Sequence, residues 1–315
     1  MAGKKTLFSV LMREIISYIE VYARTINKTT LAACTLLNAT LIYLNFYFDL
    51  DNKIDDTNKV VAYFGLRYLI FFIALALPYF FYLLFEGKNY FKSSLFCFLV
   101  LVSPAIFSWK MAMPTEINLS DNIYWNYYWN QVSYWPMRLI MQVILLLVIW
   151  YFCFRKESFF GFTIKDFKWK PYLLMLVLMI PLIAAASTQA DFLGMYPKLK
   201  DVNAVLTGVE NKWFYHLLHE LSYGSDFISV ELFFRGFLVL AFIKIAGKDA
   251  ILPMACYYCT IHFGKPLGEC ISSYFGGLLL GIVVFNTRSI IGGLIVHLGI
   301  AWLMELGGYF GNSLK

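Results

Sequence analysis

The chain has 315 residues, 60% of them hydrophobic and only 15% charged, and its mean hydropathy is +0.65. Soluble domains carry about a quarter charged residues, so no aqueous core can hide this much apolar surface, and the solvent is lipid. The net charge of +6 does not point to nucleic acid, because Lys and Arg fall in short inter-helix loops rather than one patch.

Residues 1–28 mix Lys4, Lys5, Arg13, Glu14, Glu20, Arg24 and Lys28 with Leu, Ile, Val and Phe at helical spacing. That pattern predicts an amphipathic juxtamembrane segment lying on the membrane surface rather than a cleavable signal peptide. Apolar spans are then expected at 29–48, 60–85, 93–109, 136–154, 171–187, 213–245, 250–263, 267–286 and 289–306. The sixth is long, with Gly224 as its expected break, and several are short. Lipid admits only helices or closed barrels, and the pattern does not alternate with period two. The expected fold is all-α, a polytopic membrane helix bundle with about eight transmembrane helices. Residues 29–315 read as a single membrane domain.

Orientation follows the basic residues. The 155–170 loop carries Arg155, Lys156, Lys165, Lys168 and Lys170, whereas the 49–59 loop carries Asp49, Asp51, Asp55 and Asp56. The first is expected inside, with the N-terminus, and the second outside. The 113–135 loop, with Tyr124, Trp125, Tyr127, Tyr128, Trp129, Tyr134 and Trp135, reads as an aromatic belt at the interface. The six cysteines all lie in apolar segments and read as reduced packing residues. Cys256, Cys259 and His262 imitate a metal spacing, but one helix spreads them along ~9 Å of axis, too far for one zinc. No metal and no other cofactor is expected.

Chemistry is sought in Ser229-Val230-Glu231-Leu232-Phe233-Phe234-Arg235-Gly236, where a carboxylate and a guanidinium sit inside an otherwise apolar stretch. Charges in hydrocarbon are costly and mark function by default. Glu231 and Arg235 share a helix face. They either tie two helices together as an ion pair or keep a carboxylate poised as a base. Counted from Lys244, Lys248 and Arg288, the residues Glu231, His262 and His297 lie roughly 20, 21 and 13 Å deep at 1.5 Å per residue. Three spans thus bring them toward the middle of a ~30 Å slab. His216-Leu217-Leu218-His219-Glu220 matches no zincin pattern. His216 and Glu220 are spaced to hydrogen-bond, and Asp226 is placed to cap the following helix. Glu220, Glu269 and Glu305 are candidate supporting residues or helix-end residues.

At these positions the chain resembles the CAAX protease and bacteriocin-processing family, also called Abi, over about residues 171–306, the motif-bearing core. Three motifs in order carry the resemblance: Val230-Glu231-Leu232-Phe233-Phe234-Arg235, Tyr258-Cys259-Thr260-Ile261-His262, and His297-Leu298-Gly299-Ile300-Ala301. Three departures stand out: Val230 replaces a Glu, Tyr258 a Phe, and Ala301 a polar Asn or Asp. The resemblance implies an intramembrane glutamic endopeptidase; one Glu and two His with no further clear ligand favour a metal-free reaction. Glu231 would activate a water, and Arg235 would orient Glu231 and tune its charge. His262 would help hold the water or the glutamate, with Tyr258 in support, and His297 would stabilise the oxyanion. It implies a peptide or membrane-protein substrate, a lipid bilayer as partner and no nucleic acid. It also implies residence in the plasma (inner) membrane, with the N-terminus cytoplasmic. The other reading is a non-catalytic peptide-binding or bacteriocin self-immunity protein of the same fold, favoured by Ala301.

Overall fold

The computed structural model describes residues 7–57, 59–165 and 167–314; residues 1–6 of the expected surface segment lie outside the described residues. The elements are α1 (Leu7–Thr25), α2 (Lys28–Phe48), α3 (Leu50–Asp55), α4 (Val60–Glu86), α5 (Ser94–Ala112), α6 (Ile123–Ile149), α7 (Lys170–Ala186), α8 (Ala190–Met195), α9 (Lys200–Asn203), α10 (Lys212–Glu231), α11 (Ile243–Ala246), α12 (Ile251–Thr260), α13 (Leu267–Thr287) and α14 (Ile291–Ser313). Among the described residues there is no strand. The protein is an all-α, polytopic helix bundle and an integral membrane protein. Among the described residues, six helices are long and apolar enough to cross a membrane: α2, α4, α5, α6 with its continuation to Phe154, α13 and α14. The apolar α7 is shorter.

Local chemistry sets the helix ends. Asn27 caps α2 by accepting from the N–H groups of Thr29 and Thr30, and Ser93 caps α5 through Phe96 N–H. Gly87, at φ +67°, closes α4 in the left-handed conformation that glycine adopts freely.

Three expectations change. The aromatic stretch begins a helix at Ile123 rather than filling a loop, and Pro136 sits inside α6. Tyr128 there is fully buried, donating its hydroxyl to the Tyr215 carbonyl at 2.8 Å. Gly224 does not break α10; the change comes at Leu232, where a π-helical stretch runs to Ala241. Asp226 therefore lies within α10 rather than ahead of it. The expected 250–263 span is only the ten-residue α12. At about 15 Å it is half the hydrocarbon thickness.

The contacts divide the chain into two compact units. The first comprises Met1–Met113, Ile149–Phe167 and Leu232–Ile291. Its centre is α12, buried from Ile251 to Thr260 and packed by α2, α4, α13 and the π-helical stretch. A helix apolar on every side has no lipid-facing stripe to show and fills a core. Gly277 and Gly281 allow the α13 approach: a Cβ at Gly277 would stand 3.0 Å from Tyr258, and one at Gly281 2.6 Å from Met254.

Polar knots bind the two ends of α4. At one, the buried Arg67 bridges the carboxylates of Asp51 and Asp55. Asp51 N–H donates to Asn45 Oδ1 at 3.0 Å, and Asn45 Nδ2 donates to the Phe263 carbonyl at 3.1 Å. At the other, Lys88 pairs with Asp249 at 2.6 Å and Glu86 at 2.7 Å, while Tyr90 Oη donates to Asp249 at 2.6 Å.

The second knot carries a pH prediction. Burial opposes the Lys88 charge, but bonds to Asp249 and Glu86 outweigh it and raise its pKa. Burial, then Asp249, raises Tyr90 and Tyr22 as well. Groups with raised folded-state pKa values hold protons more tightly when folded. Their stabilisation is complete below the unfolded values of ~10 for Tyr and ~10.4 for Lys, and is lost above them. Thermal midpoints in detergent should therefore hold steady to about pH 9.5 and fall beyond it. A decline already under way at pH 8 would contradict this.

The second unit comprises Pro114–Val148, Lys168–Glu231 and Gly292–Lys315. One cluster joins Tyr128 and Val132 of α6 to Val202 and Leu206, and another joins Ile183 of α7 to Phe192, Leu193 and Tyr196. Through this unit α10 and α14 run antiparallel. Gly224 lets Leu298 and Trp302 close in, since a Cβ there would be 3.2 and 3.4 Å from them.

Candidate active site

Glu231 is the last residue of α10 and is completely buried. His297, on α14, brings Nδ1 to 2.9 Å from Glu231 Oε1. With the glutamate ionised, the imidazole N–H donates to it. Phe227, one turn before Glu231, presses its ring against that of His297, with centroids 4.8 Å apart. Space for the carboxylate comes from Gly293, where a Cβ would fall 2.6 Å from Glu231 Oε2. Gly293→Ala should therefore leave the fold intact, because the carboxylate can swing away, but cost about 100-fold in any reaction that needs Glu231 in register. Peptide-cleavage kinetics beside a thermal melt check this, and wild-type turnover would refute it.

Glu220 lies beside Glu305, making a second rung between the same helices. Glu305 also accepts from the backbone N–H of Lys198 at 2.9 Å and Leu199 at 3.3 Å. His219, not His216, is the imidazole beside Glu220, at 4.0 Å.

The other expected residues belong to the first unit. Arg235, 1% exposed, lays its guanidinium over the Tyr258 ring at 3.9 Å from the centroid. The Tyr258 ring meets the His262 ring edge-on, with centroids 4.7 Å apart. His262 Nδ1 lies 3.0 Å from the Tyr258 carbonyl. A carbonyl only accepts, so Nδ1 carries the proton and Nε2 is the acceptor of the neutral ring. Tyr258 is thus an aromatic shelf for Arg235 as well as the anchor of His262. Glu269 lies in the first turn of α13. Ala301 is buried and offers no donor from its side chain. All six cysteines are free. Among the described residues, no group of three or more His, Cys, Asp or Glu is arranged to hold a metal ion.

The stretch that bears Glu231, Arg235, Tyr258, His262 and His297 is also the stretch that matches a known family. Residues 226–303 match a family model described as type II CAAX prenyl endopeptidase Rce1-like. No curated protein and no solved structure matches the chain. The match falls on the three motifs of the CAAX protease resemblance. It covers a quarter of the chain and leaves the first 225 residues unassigned.

Two residues that sequence reading passed over bear on this site. Gln142 bonds Ser229, two residues before Glu231, and Asn45 bonds Phe263, the residue after His262. Each is a neutral amide within an apolar stretch of helix, and no local pattern distinguishes it from a packing residue.

Proposed function

We propose that the protein is an intramembrane endopeptidase, hydrolysing a peptide bond of a membrane-associated or peptide substrate. One observation carries the reading: inside the Rce1-like stretch, a fully buried glutamate is hydrogen-bonded at 2.9 Å to a histidine on another helix. Glu231 accepts a proton from water as that water attacks the scissile carbonyl, and returns it to the leaving amine. Its ring partner, His297, fixes the carboxylate. With Nδ1–H spent on Glu231, His297 reaches a substrate oxygen as a donor only through Nε2–H of the imidazolium form. The resemblance assigns His262, whose tautomer the Tyr258 carbonyl fixes, to holding the water or the glutamate, and Arg235 to orienting Glu231 and tuning its charge. A single carboxylate suffices as base, so Val230 costs little. The donor set favours a metal-independent reaction. The plasma (inner) membrane, with the N-terminus cytoplasmic, is the setting that fits the loop charges.

The test is cleavage by purified protein in liposomes, with chelator present, of a prenyl-cysteine peptide and of an unmodified membrane-embedded peptide. Turnover by wild type and none by Glu231→Ala supports the reading; equal turnover by both ends it.

Ala301 favours a second reading. Losing one oxyanion donor costs about 10²–10³ in rate, and a protein without that donor can bind a peptide and not cut it. A self-immunity role of this kind predicts that Glu231→Gln protects cells as well as wild type does.

A further inference from the structure

We infer that Gln142 of α6 is a positioning residue for Glu231, an inference that rests on the endopeptidase reading for its kinetic consequence but not for its structural one. Gln142 is 1% exposed and Ser229 is completely buried. Gln142 Nε2 donates to the Ser229 carbonyl at 2.8 Å, and Ser229 Oγ donates to Gln142 Oε1 at 2.9 Å. The primary amide is thus used as donor and as acceptor on one residue, and this fixes both the height and the rotation of the α10 backbone there.

The location explains why such a clamp is needed. α10 ends at Glu231, and from Leu232 the helix is π-helical. Where a ladder changes from i+4 to i+5 bonding, the carbonyls at the change lose their regular donors, and such turns concentrate at functional sites. Ser229 lies at this change. In a buried interior an unserved carbonyl costs free energy, so without an outside donor the register of the last turn would shift. Glu231 rides on that turn. Its carboxylate is also fixed at its far end, because His297 must be met at 2.9 Å. The amide of Gln142 therefore sets where the Glu231 side chain begins, and His297 sets where it ends.

Two variants separate positioning from folding. Gln142→Leu removes both bonds and leaves Ser229 unserved. Gln142→Leu with Ser229→Ala removes both partners of the hydroxyl bond, an exchange that is close to neutral for stability. Each is expected to lower kcat about 10–100-fold with KM nearly unchanged, in line with the cost of a misplacement of about 1 Å. The double variant should be no slower than the single. A second readout does not depend on cleavage. The chain holds only four histidines, so 15N-histidine spectra resolve them, with His297→Gln assigning the signal. Both variants should move the His297 Nδ1 resonance toward a weaker hydrogen bond and leave that of His262 in place. A folded double variant with an unmoved His297 signal overturns the inference, whether or not the protein cleaves a peptide. If wild type cleaves nothing while the His297 signal moves, the positioning stands and the endopeptidase reading falls.

Discussion

Glu231→Gln is expected to slow peptide cleavage about 10²–10⁴-fold, with the loss in kcat rather than KM. The substitution is chosen for what it preserves. Glutamine has the same shape and keeps an oxygen to accept from His297 Nδ1–H, so the 2.9 Å bond and the packing around Gly293 persist. Basicity alone is removed. Glu231→Ala should be at least as slow, but it also opens a cavity and deprives His297 of this acceptor, so its kinetics mix several causes. Stopped assays on both variants, with melts to show that each is folded, make the comparison. A glutamine variant within a few-fold of wild type would mean that Glu231 is not the base.

Arg67→Met should produce the largest loss of stability, about 3–5 kcal/mol, because breaking a buried ion pair leaves an uncompensated charge. The cost centres on Asp51, whose side chain is 13% exposed; Asp55, at 54%, is solvated and contributes little. The damage should spread toward the turn after α12. Asp51 holds Asn45 through its backbone N–H, and Asn45 holds the carbonyl of Phe263, next to His262. A Cβ at Gly264 would lie 2.5 Å from Asp51 Oδ2, so the same carboxylate also packs against that turn. Thermal unfolding in detergent reads the loss, and adding Asp51→Asn should recover part of it. A midpoint lowered by less than about 3 °C would show that the knot is not structural.

Much of the bundle was legible because hydropathy and helix length are local. The bounds of α2, α4, α7 and α13 follow from where apolar runs stop, within a few residues. The residues of the candidate site stood out for a related reason: a charge or an imidazole in an apolar run is conspicuous. Three features were hidden. A proline suggested a helix start at 136, whereas neighbouring packing lets α6 run through it from Ile123. Apolar composition alone does not separate a helix that spans lipid from one walled in by other helices, and α12 is the latter. Gln142 and Asn45 are neutral amides whose partners are 87 and 218 positions away. Pairing at that separation is a property of the fold and leaves no periodic trace in the chain.

The threading of the chain restricts what can be engineered from it. Each unit gathers three separate stretches of polypeptide, and residues 226–303 contribute to both. The three motifs therefore cannot be excised as a folding unit. A fragment beginning at 171 would discard both amides that brace the motif helices. Transplanting activity into a shorter scaffold would mean rebuilding those braces, not merely copying the glutamate and the histidines.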